Sequence, residues 1–207
     1  MTSKNIIYFV IAATISVGFT THLFHTADLL PTLIIGFCAL GCGIIFWLFT
    51  SFNHPTDPAL LLPPYLVTAA LLMLHIVEEQ VFEFGPMIAG ITTGIWTAEH
   101  FLWTIGFLFP VVWIFGAYAI ARRNPLGGFV SCFIFTGMLL GEPTHLLIFP
   151  VREALLHGGG YDYFPGMWTA LAPLITGLWG IAIVVTEARK DKRAASMKGE
   201  QVWTLQS

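Results

Sequence analysis

Six stretches of about 20 mainly apolar residues recur along this 207-residue chain, and each is long enough to cross the hydrocarbon core of a bilayer as a helix. In lipid every backbone polar group must be satisfied within the segment, which leaves helices and closed barrels as the only spanning structures. The runs fall at roughly 5–24, 30–50, 59–80, 101–121, 127–149 and 167–187. They predict an all-α, polytopic transmembrane helix bundle in one domain spanning residues 1–187. A polar, basic and mobile tail is expected over 188–207, with Trp203 as an interfacial anchor. Composition agrees: 56% of residues are apolar and only 10% charged, against about a quarter charged in soluble domains. This leaves no room for a separate soluble domain or a nucleic-acid-binding face.

The segment 84–100 is the ambiguous one. It is fairly apolar but interrupted by Gly85, Gly90 and Gly94. The basic residues arbitrate between six spans and seven. Lys4 precedes the first run, Arg122 and Arg123 follow the fourth, and Arg189, Lys190, Lys192, Arg193 and Lys198 follow the sixth. With six spans all of these share one side, which the positive-inside rule makes cytoplasmic. Both termini are therefore expected in the cytoplasm of a multi-pass inner-membrane protein, and 84–100 is expected to be an interfacial segment or a helix lead-in. The N-terminal run has no clear cleavage site and reads as the first span, not a leader. Cys38, Cys42 and Cys132 all lie in apolar runs and read as small buried hydrophobes.

The same parity gathers the ionisable residues. His75, Glu78 and Glu79 close the third span at its outer end; Glu99 and His100 open the fourth there; Glu142 and His145 lie in the outer part of the fifth. His22 and His25 end the first span on that side, and His157, Asp162 and Tyr163 occupy the outer loop. Ionisable groups inside spans are costly and mark functional sites by default. On a helix, residues three and four apart share a face, so His75 projects beside Glu78 and Glu79, and Glu142 beside His145. Pro143 between the latter two bends the helix and frees a carbonyl. Glu-x-x-His is a spacing that places two ligands on one metal centre in bundles, and His75-x-x-Glu78 is its reverse.

His75, Glu78, Glu142, His145 and His100 are the candidate ligands of a divalent metal (zinc, iron or manganese). Glu78, Glu79, Glu99 and Tyr163 are the candidate catalytic groups, with Tyr163 supporting a carboxylate or donating a proton. No nucleotide cofactor is indicated. The blander alternatives are a solvated helix end for 75–79, a helix-stapling pair for 142–145, and interfacial placement for Glu99, His100, His22, His25 and His157. The Gly158–Gly160 run reads as a flexible outer loop.

The motifs His75-Ile-Val-Glu78-Glu79 and Tyr163-Phe-Pro165-Gly166-Met-Trp-Thr169 resemble those of the HXXEE family of small bacterial integral membrane proteins. That family's middle motif, N-A-x-x-H, survives here only in its histidine, as Gly141-Glu142-Pro-Thr-His145. The resemblance covers about residues 60–187 and implies a membrane enzyme more than a transporter. Three readings follow from the residues. The first is a metal-dependent enzyme hydrolysing or oxidising a lipid or isoprenoid. The second is a metal-free acid/base isomerase or cyclase of an apolar substrate. The third is a proton-coupled transporter or a subunit of a membrane complex.

Overall fold

The computed structural model describes residues 3–27, 29–92 and 96–204, and among these no strand occurs. Six helices are long and apolar enough to cross a membrane, and the chain has the architecture of an integral multi-pass protein. We number the elements α1 (Ser3–Ala27), α2 (Leu29–Phe49), α3 (Pro58–Val81), α4 (Phe84–Gly90), α5 (Ala98–Ala121), α6 (Pro125–Leu147), α7 (Phe149–His157) and α8 (Leu171–Thr204). At seven residues α4 is far too short to cross a bilayer, so 84–100 adds no seventh span. Gly94 lies outside the described residues. An even number of spans returns the chain to the face where it began.

Two boundaries differ from the sequence expectation. The last helix begins at Leu171, after a turn over 165–170, and continues without a break to Thr204. Residues 188–204, expected to be a mobile tail, thus extend the span as helix. The fifth run is longer than expected: α6 ends at Leu147, and α7 carries the chain on to His157.

Helix α6 is the hub of the bundle. Of its most apolar window 56% is buried, against 17% in α1, and it packs against α2, α5 and α8. Small residues make this possible, because membrane helices associate through close backbone approach. At Gly43 of α2 an added β-carbon would stand 2.9 Å from the Cα of Phe133 in α6. The Thr136 hydroxyl then donates across the interface to the Ala39 carbonyl at 2.9 Å. That carbonyl belongs to a π-helical stretch, Thr32–Gly41, within α2, and a second such stretch, Leu102–Leu108, opens α5 just before Pro110. Wide turns of this kind are frequent at functional sites.

Helix α3 carries the pattern that positions the site. Asp57 caps it by accepting from the Ala59 N–H, and Pro58 occupies its first turn. Along its length Thr68, Leu72, His75, Ile76 and Glu79 are buried, whereas Val67, Leu74, Val77 and Val81 are exposed on the lipid side. The inward stripe follows the i, i+3, i+4, i+7 rule. It continues the apolar face of the helix directly into the ionisable cluster.

Candidate metal centre

Three segments converge at one end of the bundle. Helix α3 supplies His75, Glu78 and Glu79, α6 supplies Glu142 and His145, and the turn before α8 supplies Tyr163 to Thr169. His75, Glu78, Glu79, Glu142 and His145 are all buried, at 2–7% exposure. This is far more burial than a solvated helix end would show.

The turn is built onto the cluster at almost every motif position. Glu78 accepts four hydrogen bonds: from the Tyr163 hydroxyl at 2.8 Å, the Trp168 N–H at 3.1 Å, the Thr169 N–H at 2.9 Å and the Thr169 hydroxyl at 2.5 Å. The Pro165 carbonyl faces His145 Nδ1 at 2.9 Å. Gly166 has φ +91°, and a β-carbon there would lie 2.5 Å from His145 Nδ1 and 2.8 Å from His75 Cε1. Only glycine fits both the backbone conformation and the space. Burial, followed by the bond to Glu78, raises the Tyr163 hydroxyl above the ordinary tyrosine range and keeps it a donor.

These contacts fix the state of both imidazoles. His145 Nδ1 faces a carbonyl, so it carries the hydrogen. Thr169 Oγ1 spends its own hydrogen on Glu78, so toward His75 Nδ1, 3.0 Å away, it accepts. In its neutral form each ring therefore presents a bare Nε2 lone pair. What the lone pairs face is more acceptors. His75 Nε2 lies 3.2 Å from Glu142 Oε2 and 3.6 Å from Glu79 Oε1, and His145 Nε2 lies 3.4 Å from the same Glu79 oxygen. Glu142 Oε2 is buried within ion-pair distance of His75, yet no donor is directed at it. With the carboxyls ionised and the rings neutral, no hydrogen lies between these four atoms, and a cation at their centre would compensate them.

Spacing and donor type fit a metal. Ligand atoms of His75, Glu79 and His145 all fall within 4.8 Å of one another. Ligands about 2.0–2.1 Å from a tetrahedral ion stand about 3.3–3.4 Å apart, close to the 3.4 and 3.6 Å that separate Glu79 Oε1 from the two histidine nitrogens. Outer Nδ1–H groups held by a carbonyl and a hydroxyl are the usual support of metal-binding histidines. The buried His75, Glu79 and His145 can therefore hold a metal, with Glu142 beside them.

The structure redistributes the expected roles. Glu78, expected as a ligand and catalytic group, is committed to the 163–169 turn. Glu79, expected as a catalytic group, faces both imidazoles. His75, Glu142 and His145 meet as expected, and Tyr163 joins them through Glu78. Glu99 and His100 are not brought in: both are exposed at the start of α5, where the Thr97 hydroxyl accepts from the His100 N–H. Their neighbours Trp96 and Phe101 line the cavity instead. His22 and His25 are exposed, and the exposed His157 pairs with Glu153 at 2.9 Å.

Sequence reasoning overlooked Phe84, whose ring lies 5.1 Å from that of His145, and the cavity beside the cluster. That cavity, of about 130 Å³, is walled by α2 to α6, with Phe149 at the start of α7 completing it; His75, Glu79, Glu142, Thr144 and His145 form its polar end. No local pattern in the sequence marks these wall residues. No protein-family model matches the chain, and no curated protein or solved structure is similar to it. The functional reading therefore stands on the geometry of the site.

Proposed function

We propose that this chain is a membrane-embedded, metal-dependent enzyme acting on a lipid or isoprenoid. His75 Nε2, His145 Nε2 and the Glu79 carboxylate bind one divalent cation. The observation that carries this reading is the set of buried acceptors turned toward each other, with each histidine's second nitrogen already engaged. Membership of the HXXEE family is part of the proposal. All three ligands fall on retained motif positions, whereas Glu142 stands where the motif has another residue.

Two histidines and one carboxylate leave a coordination position open, as in hydrolytic zinc sites and oxidative iron sites. Bound there, the metal would activate water or dioxygen and polarise the substrate. Glu142 is the proton acceptor of the site: it borders the cavity, and one of its oxygens has no hydrogen-bond donor. Thr144 also borders the cavity beside it. Glu78, with the 163–169 turn, orients the two imidazoles. The aromatic wall excludes water and receives the apolar part of the substrate.

Elemental analysis of protein purified without chelators tests the proposal, wild type beside His145→Ala and Glu79→Gln. About one zinc, iron or manganese per chain, lost in both variants, supports it, and the identity of the metal separates hydrolysis from oxidation. Metal-free wild-type protein would overturn it. The same residues would then act as proton donors and acceptors of an isomerase or cyclase.

A further inference from the structure

The cavity is polar at one end only, and its depth can be read from the helices. In α6 its wall runs from His145 to Phe133, and in α5 from Phe101 to Trp113. Each interval is twelve residues, or about 18 Å in α6 at 1.5 Å per residue and somewhat less in α5, where Leu102–Leu108 is π-helical. The two helices run in opposite directions, so both intervals lead from the cluster to the same depth. There the rings of Phe109 and Trp113 lie 6.1 Å apart and those of Phe109 and Phe133 5.7 Å apart, closing the space with an aromatic floor. The floor is braced from outside the cavity, because the Tyr65 hydroxyl donates to the Trp113 carbonyl at 2.8 Å. Tyr65 lies ten residues below His75 in α3, about 15 Å along the helix, which agrees with the other two helices.

Resting on the enzyme reading above for what happens at its mouth, we infer that this cavity receives one single-chain amphiphile, with its polar head at the His75/Glu79/His145 cluster, its chain running down to the floor and Trp113 setting the accepted length. The depth gives the chain length and the volume the number of chains. A depth of about 15–18 Å takes about 12–14 carbons of extended chain, because the zigzag advances only about 1.3 Å per bond of about 1.5 Å. The volume of about 130 Å³, close to the roughly 150 Å³ of an apolar cavity that holds one benzene, has room for one chain only. A two-chain phospholipid needs several times that space. Entry from the bilayer suits the two π-helical stretches. Both border the cavity, but the one in α2 packs on α1 and α6, whereas the one in α5 packs on α3 and on the rest of its own helix.

Trp113 is also the residue to change. Its indole N–H is buried without a hydrogen-bond partner, so Trp113→Phe removes no bond, while Trp113→Ala deepens the cavity. The experiment uses full-length protein in lipid nanodiscs with a series of n-alkanols, from about 8 to about 18 carbons. Thermal stabilisation is expected to peak at about 12–14 carbons in the wild type and to shift several carbons longer in Trp113→Ala. An alkanol brominated at its terminal carbon should quench emission that is missing from Trp113→Phe, and one brominated beside the hydroxyl should not. Stabilisation that rises steadily with chain length, an unmoved optimum in Trp113→Ala, or quenching independent of bromine position would each overturn the inference. None of these readouts needs metal or turnover. A moved optimum in metal-free protein would leave the chain site standing while the metal reading falls, and an unmoved optimum in metal-loaded protein would do the reverse.

Discussion

Thr169 bonds Glu78 twice, through its backbone N–H at 2.9 Å and its hydroxyl at 2.5 Å. With Tyr163 and Trp168 this places four donors on one buried carboxylate at the end of α3. Glu78 is thus the clamp that ties the turn before α8 to the third span. The same turn holds the outer nitrogens of both histidines, so the clamp and the His75/Glu79/His145 cluster are mechanically one unit.

Glu78→Gln should therefore weaken metal binding without abolishing it. The amide keeps one acceptor but sets an NH₂ group against donors. Loss of such supporting contacts costs about 10–100-fold in metal affinity. Competitive chelator titration should show that drop for Glu78→Gln and no measurable site for His145→Ala. Equal loss in both would make Glu78 a ligand.

Gly166→Ala should destabilise the protein and empty the site together. The left-handed backbone alone costs on the order of 1–3 kcal/mol for a residue with a β-carbon, and the added atom would also meet both imidazoles. Thermal unfolding and metal content, measured on the same sample, should fall in parallel. An unchanged melting temperature with full metal would show that the turn does not sit against the rings.

Tyr163→Phe should cost about 1 kcal/mol, the usual worth of one hydrogen bond, with a defined pH dependence. Because the folded tyrosine titrates above its unfolded value of about 10, its contribution is fully present below that value. It is lost as pH rises through the higher folded value. The stability difference between wild type and Tyr163→Phe should stay level through neutral pH and shrink only in strong alkali. A difference that disappears between pH 5 and 8 would assign the bond to another titrating group.

Glu99→Ala and His100→Ala should leave metal stoichiometry unchanged, because both residues are exposed at the start of α5, outside the buried cluster. Elemental analysis of the two variants checks this. Loss of metal in either would return residues 99–100 to the site.

Much of the site was legible in the sequence because its chemistry is rare in lipid. His75, Glu79, Glu142 and His145 stood out as ionisable residues in apolar runs, and span parity brought them to one level. Parity could not divide the labour between adjacent carboxylates. Glu78 and Glu79 differ by about 100° around α3, and that angle sends one to the 163–169 turn and the other to the histidines. Glu99 and His100 share the level but not the face.

By itself, the sequence determined that this chain has six helices long and apolar enough to cross a membrane and that His75, Glu78, Glu79, Glu142 and His145 gather toward one end. Both follow from local physics, since apolar length dictates spanning and the cost of burying charge marks the exceptions. Tertiary structure alone decided that Glu79, not Glu78, faces both imidazoles, that Gly166 must lack a side chain beneath them, and that α5 and α6 enclose an apolar cavity with Trp113 at its floor. Those features depend on how helices distant in sequence are rotated against one another, and no single segment encodes that rotation.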